Sequence, residues 1–331
     1  MNEKKPKLQT KCHSRYLWVS VKIVFTAGCV AWLLYVVDWN VFFTKMRGLN
    51  WYLTLFALCV YLLFCIPCAL RWRQAALVGG FKLRFSDALN WYLVGGFFNW
   101  FLPTGHGGDV VRAVMASRSY DVSFGTVMAT IFIERFFGIF VSILFAIIVS
   151  FFLLTEITQL TPILYVMLTL AGSMIFIVGI SYIPYLKTFI NKMVSLIPIP
   201  AVRTFFDDIF STLDICRGKP KRLSLVVFFS LANQLVMILS AIILSLAIPD
   251  FHAPWYSFFL VVPLVFFAAL LPSIGGHGVS EAGYVIFLGW FSVTQETAAV
   301  FCVIKLLFEL AVSILGAFLF VLSNHRAKQI P

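Results

Sequence analysis

Two stretches of this 331-residue chain carry nearly the same phrase, built from a proline, several glycines, a histidine and a charged side chain. Leu102-Pro103-Thr104-Gly105-His106-Gly107-Gly108-Asp109-Val110-Val111-Arg112-Ala113 recurs as Leu271-Pro272-Ser273-Ile274-Gly275-Gly276-His277-Gly278-Val279-Ser280-Glu281-Ala282. Pro103 and Arg112 are nine residues apart, and so are Pro272 and Glu281, but the charge changes sign. A guanidinium such as Arg112 matches a phosphate in a bidentate fork. Gly107, Gly108, Gly275 and Gly276 could add backbone N–H groups that broken helix ends aim at an anion. His106 and His277 sit one position apart in register. Each could bind a headgroup, carry a proton or simply bond to freed backbone, since histidine titrates near neutral pH.

A few more charges stand where the chain is otherwise apolar: Asp109, Glu134 with Arg135, and Lys305 with Glu309. Lys305 and Glu309 are four residues apart and so share a helix face. Glu134 and Lys305 are 171 apart, close to the offset of the repeated phrase. Charges inside membrane spans cost about 2.5 kcal/mol or more each on insertion scales, so they are functional candidates. In one reading they pair structurally, Lys305 with Glu309, and Glu134 with Arg135 or Arg112. In the other, Arg112 and Lys305 hold a phosphate while Glu281 and Glu134 meet a cationic group or exchange partners as gating counter-charges. Metal-ligand spacing and cofactor motifs are absent, so no metal or cofactor is expected.

These residues must be positioned by a membrane scaffold. The chain is 61% hydrophobic and 12% charged, where a soluble domain carries about 25% charged residues. Apolar stretches long enough to cross a bilayer core of about 30 Å run over Leu17–Val37, Tyr52–Leu70, Phe136–Leu154, Pro162–Ile183, Leu223–Ile248 and Ala298–Leu322. Two more, Leu89–Leu102 and Tyr256–Phe291, are interrupted by the repeated phrase. The first span is too long for a cleavable signal and reads as a retained anchor. The formal charge of +11 clusters beside spans, as at Lys4, Lys5 and Lys7, at Arg71, Arg73, Lys82 and Arg84, and at Arg217, Lys219, Lys221 and Arg222. That distribution reads as the positive-inside pattern rather than nucleic-acid binding. Cys65-Ile66-Pro67-Cys68 lies in an apolar helix and reads as packing. Asn99, Asn233 and Gln234 read as helix–helix glue.

Following the charges gives the topology. The N-terminus is inside, Asp38–Trp51 is an outer loop, and Arg71–Asp87 is an inner one. The hairpin at about 89–111 then enters from the cytoplasm and returns, whereas the one at about 256–291 enters from the far side. The result is an all-α integral membrane protein with six transmembrane helices, two opposed re-entrant hairpins and an inverted repeat. Its parts are a basic tail at 1–16, a first repeat at 17–161, a second at 162–322 and a tail at 323–331. Within the second repeat, 187–222 is cytoplasmic and includes an amphipathic helix carrying Val202, Phe205, Phe206, Ile209 and Leu213. Gly/Pro breaks at matching places in two halves mark the binding site of repeat-built transporters.

The phrases Leu102-Pro103 through Arg112, Glu134-Arg135, and Gly275 through Ala282 resemble the flippase-like family named after the transmembrane region of lysylphosphatidylglycerol synthases. The likeness runs from about Leu17 to Leu322. It implies a polytopic protein of the inner membrane with both termini cytoplasmic. Some members are fused to an aminoacyltransferase; this chain ends at Pro331 and reads as a stand-alone member. Lys305 stands where the family leads one to expect arginine. The reading is a flippase for a phospholipid or a polyprenyl-phosphate lipid, not an enzyme, working beside a glycosyltransferase or lipid-modifying enzyme. A membrane lipid-modifying enzyme and a non-transporting scaffold subunit remain as alternatives.

Overall fold

The computed structural model describes residues 24–101, 107–182, 192, 216–269, 271, 273 and 276–327, and every regular element among them is helical. The amphipathic segment at 202–214, His106, Gly275 and the start of the first span lie outside the described residues. α1 (Val24–Val36) and α2 (Trp39–Arg47) meet at a bend of 84°. Asp38 makes the bend, since its carboxylate caps α2 by accepting from the N–H groups of Asn40 (2.9 Å) and Val41 (3.4 Å). The stretch read as the outer loop Asp38–Trp51 therefore holds a helix, seated by the buried Phe42.

α3 (Trp51–Leu62) and α4 (Cys65–Val78) form one 28-residue crossing. This corrects the second span, which continues eight residues past Leu70. No helix-stopping residue occurs until Gly79-Gly80, where Gly80 takes φ +95°. Arg71 is consequently a buried helical residue, not part of an inner loop. α7 (Phe124–Leu153) begins twelve residues before the apolar stretch at Phe136, at a Ser123 cap, and so carries Glu134 and Arg135 within it. α8 (Leu160–Tyr182), α9 (Pro220–Ala247) and α12 (Gln295–Ala327) complete the long helices. Among the described residues five helices are long and apolar enough to cross a membrane, and α1 with α2 makes a sixth if counted as one broken span.

Two shorter helix pairs surround the repeated phrases: α5 (Phe85–Phe101) with α6 (Gly107–Tyr120), and α10 (Phe258–Ala268) with α11 (Val279–Gly289). Each pair packs as a hairpin and then against both α7 and α12, in opposite order: α6 lies on α7 and α5 on α12, while α11 lies on α12 and α10 on α7. α3 and α4 pack along α9 between them. Tyr120 ties down the base of the first hairpin, donating to Asp87 (2.5 Å) and accepting the Arg84 N–H (2.9 Å). Partial burial and the bond to Asp87 push its phenol pKa up. Elsewhere, Lys45 in the last turn of α2 bonds Asp250 (3.0 Å), which holds that exposed carboxyl below its usual range.

The hairpins sit close because glycines leave no side chain between backbones. A Cβ on Gly108 would lie 1.9 Å from the Gly95 carbonyl oxygen, and one on Gly316 would lie 2.1 Å from that of Leu93. Small residues at such crossings let helices associate through packing rather than the hydrophobic effect, which is weak between helices in lipid. Large apolar side chains on the periphery, such as Phe152 and Leu246, stay exposed. Gly316→Ala should therefore lower the thermal unfolding midpoint of the detergent-solubilised protein by several degrees, from overpacking of about 1–3 kcal/mol. Gly172→Ala, which meets nothing within 4 Å, should leave the midpoint unchanged or slightly raised.

Candidate functional site: a charged cavity between two hairpins

Glu134 organises the first group of charges. It is fully buried in α7. One carboxylate oxygen accepts from Arg71 of α4 at 2.8 Å and from the Tyr92 hydroxyl of α5 at 2.9 Å. The other accepts from Arg112 of α6 at 3.4 Å. Arg112 also bonds Asp109 at 2.6 Å, one turn back on its own helix. Its guanidinium lies between two aromatic faces, 4.8 Å from the Trp72 ring and 4.4 Å from the Tyr92 ring. Asp109 in turn accepts two bonds from Arg135, at 3.1 and 3.2 Å. The expected pairing of Glu134 with Arg112 is present. Arg135 turns instead to Asp109, because its neighbour Glu134 already faces Arg71 and Arg112.

The group thus holds three guanidiniums, Arg71, Arg112 and Arg135, against two carboxylates, Asp109 and Glu134. One positive charge has no protein counter-charge within it. Burying an ion costs several kcal/mol unless it is paired, so the surplus marks where an anion would be stabilised.

The second group is smaller. Lys305 and Glu309 form an ion pair one turn apart on α12, and the Lys305 ammonium lies 5.4 Å from the Tyr284 ring centroid. Glu281 caps its own helix α11, accepting the Gly278 N–H at 2.5 Å and the Ser280 hydroxyl at 3.2 Å. His277 Nδ1 is 3.9 Å from the other Glu281 oxygen. His277 sits between Gly276 (φ +87°) and Gly278 (φ +80°), a backbone conformation only glycine adopts readily.

A cavity of about 280 Å³ lies between the groups. Arg71, Glu134 and Arg135 line one wall, and His277, Lys305 and Glu309 line the other. Gly276 and Ser280 reach it as well, as do Tyr92 and Gln234. Arg112, Asp109 and Glu281 do not line it; Arg112 is 2% exposed and stands behind Arg71 and Arg135. Nor do Arg112 and Glu281 meet, because Asp109 and Glu134 engage Arg112 while Glu281 caps its own helix. Gly107 and Gly108 are buried in the first turn of α6, where the Gly108 N–H donates to Asn99 (2.8 Å). Arg135 keeps 36% of its side chain exposed. Arg71 Nε, Gln234 Nε2 and His277 Nδ1, all on residues lining this cavity, are buried without a hydrogen-bond partner among the described residues.

Glu134 and Lys305 each stand ten residues into their helices, α7 and α12. At 1.5 Å per residue that is a rise of about 15 Å, half the thickness of a bilayer core. Among the described residues no group of three or more His, Cys, Asp or Glu could hold a metal ion. Sequence reasoning missed Arg71, which looked like a positive-inside loop residue. Gly79-Gly80, the first stop signal after Leu70, would have placed it on the helix.

Removing the shared carboxylate should be severe. Glu134→Gln leaves Arg71 and Arg112 buried with half their counter-charge, and should cost about 3–5 kcal/mol. The check is thermal or denaturant unfolding in detergent.

The profile of the lysylphosphatidylglycerol synthase TM region matches residues 19–316, spanning both hairpins and both charged groups. No curated protein and no solved structure matches the chain. With nearly its whole length matched, the chain belongs to the family defined by the lysylphosphatidylglycerol synthase TM region.

Proposed function

We propose that this protein moves a lipid with a phosphate-bearing headgroup between the leaflets of the cell inner membrane. The headgroup occupies the cavity between the two hairpins, and the acyl or isoprenoid chains stay in the bilayer. The observation that carries this is the excess of guanidinium over carboxylate charge in the first group, which lines one wall of a cavity built by both halves of a membrane protein. Size agrees: about 280 Å³ is below the roughly 300–1,000 Å³ of sites that enclose whole drug-sized ligands, so it suits a headgroup alone.

In this reading Arg71 and Arg135 contact the phosphate. Arg112 is a positioning residue, holding the two carboxylates that in turn hold Arg71 and Arg135. Lys305 and Glu309 supply the opposite wall, where an ion pair can open and re-form as the headgroup passes. The corresponding way the two hairpins pack on α7 and α12 supports a two-fold repeat; in this reading the repeat is inverted, with the first hairpin open to the cytoplasm, the second to the far side, and both termini inside. That arrangement allows alternating access to a fixed midplane site.

Leaflet transfer tests this. Proteoliposomes carrying tail-labelled fluorescent phosphatidylglycerol should lose outer-leaflet signal to dithionite and then continue losing signal as inner-leaflet lipid emerges. A hydrogen bond to a charged group is worth about 1.5–3 kcal/mol, so Arg71→Ala and Arg135→Ala should each slow transfer about tenfold or more. Transfer no faster than in protein-free vesicles would count against a flippase for this lipid class and favour a scaffold. Recovery of a chemically altered lipid would assign the cavity to a lipid-modifying enzyme.

A further inference from the structure

A second cavity, of about 190 Å³, adjoins the first. Asn99 and Trp100 at the end of α5 line it, as do Tyr61 and Ser313. Phe64, His277 and Glu309 line both cavities and therefore form the partition between them. This partition is also where the hairpins touch, since the Trp100 ring of the first packs on the His277 ring of the second with centroids 4.7 Å apart.

His277 is the one member of the partition that combines a proton-accepting atom with no present use for it. Nδ1 is buried without a hydrogen-bond partner among the described residues, and the Glu281 carboxylate is 3.9 Å away, outside hydrogen-bond range. A proton on Nδ1 would turn that near contact into an ion pair and place a cation beside the Trp100 ring. The glycines on either side give the residue backbone freedom to respond.

We infer that His277 is a proton-binding site in the wall between the two cavities, and that its occupancy sets how firmly the hairpins close that wall. Protonated, it is held by Glu281 on one side and Trp100 on the other, and the partition is shut. Deprotonated, it loses both attractions, and the partition can open. The surrounding charges agree with this direction. α11 presents Glu281, and α12 presents Glu309 together with Lys305, whose charge Glu309 neutralises. α5 presents Trp100, and α1 brings Cys29 against the adjacent Gly278. Arg71, Glu134 and Arg135 stand on the far wall of the first cavity. The result would be proton-linked movement of material between the cavities, an energetic coupling that the lipid reading alone does not supply.

The test needs no lipid transfer, so it stands or falls separately from the proposed transport. An imidazolium in contact with an indole quenches its fluorescence. Intrinsic fluorescence of the full chain in nanodiscs, titrated between about pH 5 and 8, should show a one-proton quenching step as pH falls. The step should be absent from Trp100→Phe and from His277→Gln. Glu281→Gln, whose amide oxygen can still cap Gly278, should keep the step but move its midpoint down by about one unit. A step that persists unchanged in His277→Gln overturns the inference. So does the absence of any step in the wild type, or a Glu281→Gln midpoint that does not move. Should His277→Gln fail to fold, Trp100→Phe and Glu281→Gln decide the matter alone.

Discussion

Two carboxylates hold three guanidiniums in the middle of this protein, and the arrangement of the surrounding helices follows from having to satisfy them. Glu134 comes from α7, Arg71 from α4, Tyr92 from α5 and Arg112 from α6, so one buried carboxylate joins four elements. Each bond is short-range and directional, and a charge left unpaired at this depth costs several kcal/mol. The helices are therefore fixed relative to one another at their most polar point, although lipid gives them little hydrophobic reason to associate.

The glycines make that convergence possible. Gly95 and Gly108 bring α5 onto α6, and Gly316 brings α12 onto α5, each with no room for a Cβ. Gly138 does the same for the charges: a Cβ there would stand 3.0 Å from an Arg71 guanidinium nitrogen. Its bare Cα leaves that side chain the space it occupies beside Glu134 and the cavity. The first group of charges is then rigid and positive in sum, whereas the second is built from i,i+4 pairs and a helix cap that can break and re-form locally. One wall is suited to holding an anion and the other to moving.

Much of this was legible in the sequence, and what was not has identifiable causes. The membrane class, the two hairpins and the Lys305–Glu309 pair follow from hydropathy, from Gly/Pro breaks and from i,i+4 spacing, all of which are local signals. Arg112 and Glu281 stood out because the repeated phrase drew attention to them, yet both lie behind the cavity wall. A repeat marks positions that a fold needs twice, and here it marks the residues that position the site's lining. Arg71 lay outside the phrase and beside other basic residues, so its tertiary partner, 63 residues away, left no local trace. α2 was hidden for a related reason: an Asp cap and a short amphipathic turn look like a loop when only long apolar runs are counted.

If the guanidinium excess of the first group holds an anionic lipid headgroup, that lipid should stay with the protein. Native mass spectrometry of the protein released from nanodiscs of mixed zwitterionic and anionic lipid tests it most directly. The wild type should retain one phosphate-bearing anionic lipid per chain, lost when Arg71 and Arg135 are both changed to alanine in a variant that still elutes as a folded species. Equal retention by the two proteins, or retention with no preference for anionic lipid, would contradict it.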